Sequence, residues 1–212
     1  MPLESTTIRE PTGGSADDQF VTVLADVVAA LTEADIPFGV LGGVASAAYG
    51  RPRWTKDIDV FCRAEDAAAA LDALAERGFE TERTNPAWIF KGWRDGVLVD
   101  VIFKGKSDIY FDESMAERVR RVPFQGVDVP VLAPEDVILT KAVTADESSP
   151  WHWYDALGIM AVNDLDWDYL LERARKGPNR IASLLHFALS IDVPVPAKAV
   201  RSLHESIAAW WE

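Results

Sequence analysis

The chain is poor in cysteine, histidine and basic residues. Among 212 residues it has one cysteine, three histidines, and 21 lysines and arginines against 34 aspartates and glutamates. The single cysteine, Cys62, excludes a disulfide within the chain and is typical of a reducing compartment, so we expect a cytoplasmic protein. The histidines lie far apart, without zinc-ligand spacing. The net charge of −13 disfavours a general nucleic-acid binder, which would be basic.

Long hydrophobic runs are also lacking. No apolar stretch reaches the roughly 20 residues that a membrane-spanning helix needs. The N-terminal residues lack the hydrophobic segment of a signal peptide. We therefore expect no membrane partner. The chain is nevertheless 49% hydrophobic with eight tryptophans, which is enough for a full core.

Hydrophobic periodicity predicts strands early in the chain and helices late. Residues 1–16, rich in Thr, Ser, Gly and Pro, are predicted to form a disordered tail. Residues 17–133 are predicted to form an α/β core, which begins with an amphipathic helix, and residues 134–212 a C-terminal helical region. Its predicted helices cover about 134–146, 151–163, 166–176, 178–191 and 196–211. This order predicts an α+β fold, with a mixed sheet flanked by helices and a C-terminal helical part.

Asp57 and Asp59 lie at the beginning of a predicted buried strand that continues with Val60 and Phe61. Side chains alternate along a strand, so both carboxylates project from one face, about 6.6 Å apart along the backbone. Like charges at that distance are unfavourable unless a cation lies between them, and Mg²⁺ or Mn²⁺ prefers carboxylate oxygens. The pair is therefore a candidate metal site.

Asp100 is the only charge in a second apolar strand, Gly96–Phe103. Trp88–Trp93 is predicted to pair with this strand across a turn. Taken alone, the buried aspartate is as consistent with a cap or a structural ion pair as with a ligand. Beside an Asp-x-Asp strand it completes a set of three carboxylates, which can hold two divalent ions about 3.5–4 Å apart for in-line displacement at phosphorus.

A glycine pair, Gly42-Gly43, lies between a short strand (Phe38–Leu41) and a predicted helix that starts at Val44. Glycines let the backbone approach a phosphate, and a helix N-terminus offers unpaired N–H groups. Most such pairs are simple turns. This one lacks the Gly-Lys-Ser/Thr ending of a Walker loop and the third glycine of a dinucleotide fingerprint. Its spacing to Asp57 is what favours a phosphate role.

Two charged residues, Lys141 and Asp155, fall on the apolar stripes of consecutive predicted helices. Inward positions for both predict either a mutual ion pair or a shared ligand.

Taken together, these motifs resemble the minimal nucleotidyltransferase pattern of the polymerase-β superfamily, over roughly residues 20–165. The motifs are Leu41-Gly42-Gly43, the segment Gly50–Val60 that ends in Asp-Ile-Asp-Val, and the isolated strand aspartate. The Arg-x-Thr-x-Asp-Ile-Asp form is similar to the bacterial branch that includes the nucleotidyltransferase (AbiEii-like) toxins of toxin–antitoxin pairs. The pattern also resembles small enzymes that adenylylate antibiotics.

The resemblance implies a role for each candidate residue. Asp57, Asp59 and Asp100 are implied to be catalytic and to bind Mg²⁺ (or Mn²⁺). The implied nucleotide-binding residues are Gly42, Gly43, Ser46, Arg53, Thr55, Lys141 and Asp155. Many relatives carry serine directly after the glycine pair, where this chain has Val44, so Ser46 is predicted to reach the phosphate instead.

The implied function is metal-dependent transfer of a nucleoside monophosphate from an NTP to an unidentified acceptor, as a toxin with an antitoxin partner or as an antibiotic-modifying enzyme. The negative charge favours a small molecule or a protein as acceptor over tRNA. A tRNA acceptor would need a basic surface, for which the candidates are Arg118, Arg120, Arg121, Lys104 and Lys106.

Three alternatives share some of these features. The non-enzyme alternative is a degenerate nucleotidyltransferase that binds nucleotide or a partner protein without catalysis. A metal-dependent glycosyltransferase also uses Asp-x-Asp, but 56 residues before Asp57 are few for its nucleotide-binding region. A haloacid-type phosphatase carries the motif at the end of an apolar strand, whereas here the apolar run follows it.

Overall fold

A mixed sheet of seven strands forms the centre of the fold in the computed structural model, which describes residues 16–209. The strands are β1 (Phe38–Val40), β2 (Asp57–Cys62), β3 (Glu80–Asn85), β4 (Ile89–Arg94), β5 (Val97–Ile102), β6 (Arg120–Phe124) and β7 (Val127–Val131). Their order across the sheet is β3-β4-β5-β2-β1-β7-β6. Strand β2 runs parallel to β5, β1 runs parallel to β7, and the other neighbours are antiparallel.

Helices pack against this sheet and continue after it. They are α1 (Ala16–Glu33), α2 (Gly42–Ala48), α3 (Ala67–Glu76), α4 (Glu113–Arg118), α5 (Pro134–Thr144), α6 (Trp151–Val162), α7 (Trp167–Arg173), α8 (Pro178–Ser190) and α9 (Ala197–Ala208). Short 3₁₀ turns cover Lys106–Asp108 and Ala174–Lys176. The predicted α+β fold with a mixed, helix-flanked sheet is confirmed. Over residues 16–209, no helix combines the length and the apolar character that crossing a membrane requires.

Some boundaries differ from the sequence prediction. The predicted tail over 1–16 lies outside the described residues except for Ala16, where α1 begins. Helix α2 begins at Gly42, two residues before the predicted start. Helix α4 is not among the predicted helices and is only six residues long. Asp112 caps it, and the Asp112 side chain accepts a hydrogen bond from the Met115 N–H at 3.0 Å.

Helix α5 connects the sheet region to the later helices. Nine of its eleven residues are buried, and it contacts α2, α6, α7 and α8. The predicted domain boundary at residue 133, directly before α5, stays a prediction.

A buried polar cluster fixes α7 against α5 and α4. The guanidinium of Arg173 lies 3.0 Å from Asp136 Oδ1 and donates to Asp112 Oδ2 at 2.5 Å, and the Tyr169 hydroxyl donates to Asp136 Oδ2 at 2.8 Å. Burial raises the pKa of Asp136 to about 6, although the charge of Arg173 opposes the shift. Arg173 therefore supplies the positive charge that offsets the free-energy cost of burying the Asp136 carboxylate in the core.

We expect Arg173→Met to lower the free energy of unfolding by about 3 kcal/mol, because it leaves the Asp136 carboxylate buried without a cation. Urea unfolding at pH 7.5 measures this. Adding Asp136→Asn should recover part of the loss, since the buried group is then neutral. Equal stability of Arg173→Met and the unmodified protein would contradict this view of the cluster.

Candidate active site

Three carboxylates converge on one face of the sheet. The Cα atoms of Asp59 and Asp100 are direct partners in the parallel β2–β5 pair, and Asp57 lies two residues earlier on the same face. One carboxylate oxygen from each aspartate lies within 4.8 Å of those of the other two. All three residues are half-buried, at the point where the sheet face opens.

The electrostatics of this acidic triad (Asp57, Asp59 and Asp100) favour a bound cation. Burial raises the pKa of Asp59 to about 7, and the negative charges of Asp57 and Asp100 add to the shift. Two oxygens on opposite sides of a Mg²⁺ ion lie about 4.2 Å apart, and the carboxylate oxygens here lie within 4.8 Å of one another. The donor set and its spacing therefore fit Mg²⁺ or Mn²⁺ with small side-chain adjustments.

Two neighbouring side chains fix the triad. The Thr55 hydroxyl donates to Asp57 Oδ1 at 2.7 Å, and the Lys91 ammonium donates to Asp100 Oδ1 at 2.5 Å. Thr55 is one of the predicted site residues, whereas Lys91 is not. The predicted pairing of strands β4 and β5 contains the signal, because it places Lys91 directly opposite Asp100.

Gly42 packs directly against the acidic strand β2, and Gly43 packs against the loop before that strand. Gly42 has φ +64°, and a Cβ there would lie 1.7 Å from Asp59 Oδ2. A Cβ on Gly43 would lie 2.4 Å from the Thr55 hydroxyl oxygen. The glycine pair thus brings the start of α2 next to the triad, a packing reason for it that is independent of any phosphate.

A second cluster forms around Asp155, behind α2. Its Oδ2 accepts hydrogen bonds from Lys141 at 2.7 Å, from the Arg53 Nε at 2.9 Å and from Ser46 at 3.3 Å. Lys141 and Asp155 are 3% and 1% exposed, so they form the mutual ion pair that was one of the two sequence alternatives. Burial raises the pKa of Asp155, but Lys141 and then Arg53 outweigh it and hold that pKa below its ordinary value.

Ser46 and Lys141 have different surroundings within this cluster. Ser46 is fully buried, and its single hydroxyl proton is shared between the Gly42 carbonyl oxygen at 2.8 Å and Asp155 Oδ2 at 3.3 Å. Burial lowers the pKa of Lys141, while Asp155 opposes that shift. The Lys141 ammonium also lies 3.5 Å from His152 Nδ1, a contact that the sequence analysis missed. Burial, followed by the charge of Lys141, lowers the pKa of His152 to about 4, so this ring is neutral at pH 7.

A cavity of about 410 Å³ connects the two clusters. Asp59, Gly42 and Lys141 line it together with His152. Further apolar and aromatic groups border it: Phe61, Trp88, Ile102, Ile109 and Val143. Strand alternation could have revealed two of these, because Phe61 and Ile102 follow Asp59 and Asp100 by two residues on the same face.

The basic residues proposed for tRNA contact are divided between two regions. Lys104 and Lys106 line the cavity, and each is paired with a carboxylate, Asp108 at 2.6 Å and Asp146 at 3.0 Å. Arg120 and Arg121 lie on β6, at the edge of the sheet, with β7 and β1 between that strand and β2.

Solved structures of similar fold come from an antibiotic-resistance protein. The chain is similar to the solution structure of the antibiotic-resistance factor ANT(2'')-Ia, with 18% identity, a TM-score of 0.54, and coverage of 92% of this chain and 94% of that chain. It is also similar to the crystal structure of ANT(2'')-Ia in complex with adenylyl-2''-tobramycin, with 19% identity, a TM-score of 0.53, and coverage of 92% and 99%. At these identities the similarity shows a shared fold.

Sequence comparison gives the family. No curated protein matches the chain significantly. Residues 14–190 match the family model described as "uncharacterised nucleotidyltransferase". The match covers most of the chain and includes the acidic triad, the glycine pair and the Asp155 cluster. The chain therefore belongs to this nucleotidyltransferase family, as its motifs predict.

Proposed function

We propose that the protein transfers a nucleoside monophosphate from an NTP to a hydroxyl group of a small-molecule acceptor, with a divalent metal ion at the acidic triad. The observation that carries the proposal is the convergence of three carboxylates within 4.8 Å on one sheet face, in a chain of a nucleotidyltransferase family. Mg²⁺ or Mn²⁺ held there would polarise the α-phosphate and offset the charge of the departing pyrophosphate.

The residues of the chain then have distinct roles in the displacement. Asp57 and Asp59 hold the metal, and Asp100 accepts the proton of the acceptor hydroxyl. The hydroxyl oxygen forms a bond to the α-phosphorus as the bond to the pyrophosphate oxygen breaks. Thr55 keeps the Asp57 carboxylate oriented through its 2.7 Å hydrogen bond.

The nucleotide is proposed to bind with its triphosphate between the backbone of Gly42-Gly43 and the cations Lys141 and Arg53. Gly42 and Lys141 line the same cavity as Asp59, which supports this placement. We assign Ser46 and Asp155 a positioning role, since both bond to protein groups that border the cavity. Full burial of Ser46 disfavours its predicted contact with phosphate.

Two observations support a small-molecule acceptor. The cavity beside Asp59 has a volume of about 410 Å³, within the usual range of small-molecule sites. The fold is shared with ANT(2'')-Ia, whose crystal structure contains adenylyl-2''-tobramycin, and this also makes ATP the first NTP to test.

The single cysteine is consistent with a cytoplasmic reaction.

A toxin role is the second candidate, because the Arg-x-Thr-x-Asp-Ile-Asp form from Arg53 to Asp59 resembles the toxin branch. In that case the acceptor is a tRNA end or a protein side chain, and a second protein acts as antitoxin. The remaining alternative is a protein that binds nucleotide without transferring it. An activity assay must distinguish this alternative from both transfer reactions.

The activity test uses α-³²P-labelled NTPs, Mg²⁺ and separate pools of hydroxyl-bearing antibiotics, tRNA and protein. We expect labelled small-molecule product and unlabelled pyrophosphate, both reduced by more than about 10³-fold in Asp57→Asn/Asp59→Asn, because the metal ligands are lost. The matched control is Asp95→Asn, in an exposed turn with φ +53°, which asparagine tolerates. Label in tRNA would favour the toxin role, and undiminished product in the double variant would overturn the metal-site assignment.

Lys141 is tested by comparison with its partner. We expect Lys141→Met to weaken NTP binding at least about tenfold, because a charged hydrogen bond to phosphate contributes about 1.5–3 kcal/mol. Asp155→Asn breaks the same ion pair but keeps the lysine, so it should retain most of the affinity. Calorimetric titration with a non-hydrolysable NTP measures both variants. Equal affinity in Lys141→Met and the unmodified protein, with a large loss of stability, would make the pair purely structural.

The raised pKa of Asp59 predicts that replacing this residue stabilises the metal-free protein, although the same replacement lowers activity. Folding favours the protonated carboxyl, so the metal-free protein loses stability as the pH rises from about 4 to about 7. We therefore expect Asp59→Asn to have a free energy of unfolding about 1–3 kcal/mol larger than that of the unmodified protein at pH 8 in EDTA. The difference should close near pH 4, and excess Mg²⁺ should narrow it at pH 8. Equal stability of the two proteins at pH 8 in EDTA would contradict this.

A further inference from the structure

The three carboxylates of the triad are not equivalent, because one of them already has a cation. The Lys91 ammonium lies 2.5 Å from Asp100 Oδ1, and the two side chains are 26% and 15% exposed. Asp57 instead accepts its short hydrogen bond from the neutral hydroxyl of Thr55. The site therefore presents two carboxylates on β2 for metal binding and a third on β5 that is paired with lysine.

The strand register holds Lys91 in this position. Strands β4 and β5 pair without interruption from Ile89–Ile102 to Arg94–Val97, and Lys91 is the direct cross-strand partner of Asp100. Directly opposed side chains in an antiparallel pair have Cβ atoms about 4.5–5.5 Å apart. The flexible lysine side chain thus starts from a fixed backbone next to its carboxylate.

We propose that Lys91 takes the place of a second divalent ion: the nucleotide-free site binds one divalent ion through Asp57 and Asp59, while Lys91 neutralises and orients Asp100. A second divalent ion on the other oxygen of Asp100 would lie close to the Lys91 ammonium and would be repelled by its positive charge. Three ionised carboxylates with one lysine leave two negative charges, which a single divalent ion neutralises. The inference rests on the proposed function in that it takes Asp57 and Asp59 as metal ligands.

Lys91 is thereby a positioning residue for the proposed reaction. Its hydrogen bond uses Oδ1 of Asp100. Oδ2 is then the oxygen through which Asp100 accepts the proton of the acceptor hydroxyl. Lys91→Arg keeps the charge beside Asp100, whereas Lys91→Met removes it and keeps the aliphatic length. Lys198→Met removes the same charge from an exposed position on α9, where the side chain is 75% exposed, and serves as the control.

The test is a titration of the nucleotide-free protein with Mn²⁺ alone, in which electron paramagnetic resonance counts the free ion. We expect one Mn²⁺ per chain for the unmodified protein, Lys91→Arg and Lys198→Met. Lys91→Met should bind a second ion or bind the first at least about tenfold more tightly, because a unit positive charge close to the ion is gone. The stoichiometry of the unmodified protein tests the proposal even if Lys91→Met fails to fold.

Two results would overturn the proposed role of Lys91 without contradicting the proposed function. They are two Mn²⁺ per unmodified chain, or an unchanged number and affinity of ions in folded Lys91→Met. Loss of Mn²⁺ binding in Asp57→Asn/Asp59→Asn alongside either result would leave the proposed function intact. Absence of Mn²⁺ binding in every variant would contradict both the role of Lys91 and the metal site of the proposed function.

Discussion

Repulsion between carboxylates on two parallel strands is the constraint on which this site depends. The β2–β5 register sets Asp59 beside Asp100, and burial with these like charges raises the pKa of Asp59 to about 7. A fold that keeps such an arrangement gives up stability at neutral pH unless a cation is bound, which is typical of functional sites. The surrounding elements either reduce that repulsion or bring a substrate to it.

The Asp155 cluster also pairs a buried carboxylate with cations, and it does so between the sheet region and the helices. Asp155 on α6 draws together Lys141 from α5, Arg53 from the loop before β2 and Ser46 from α2. Two cations share one buried carboxylate, so positive charges outnumber negative ones in the cluster, and Lys141 lines the same cavity as Asp59. The ion pair therefore links the sheet region to the helices, and in the proposed function Lys141 is also the cation that contacts the triphosphate.

Local patterns were enough to predict the main elements and the triad. Period-two alternation predicted that Asp57 and Asp59 share a face, and the lone charge in an apolar strand marked Asp100. The contacts of Arg53 and His152 could not be predicted in this way, because they depend on how a loop and α6 pack in three dimensions. Packing also decided the role of Gly42, since its closeness to Asp59 Oδ2 emerges only when β1 and β2 are paired.

The most direct test of the metal-centred account is anomalous diffraction from crystals grown with Mn²⁺ and a non-hydrolysable ATP analogue. We expect an anomalous peak at coordination distance from Asp57 and Asp59, with the triphosphate between that peak and the Gly42-Gly43 backbone. Mn²⁺ bound elsewhere, or a triphosphate away from the triad while the β2–β5 register is intact, would contradict it.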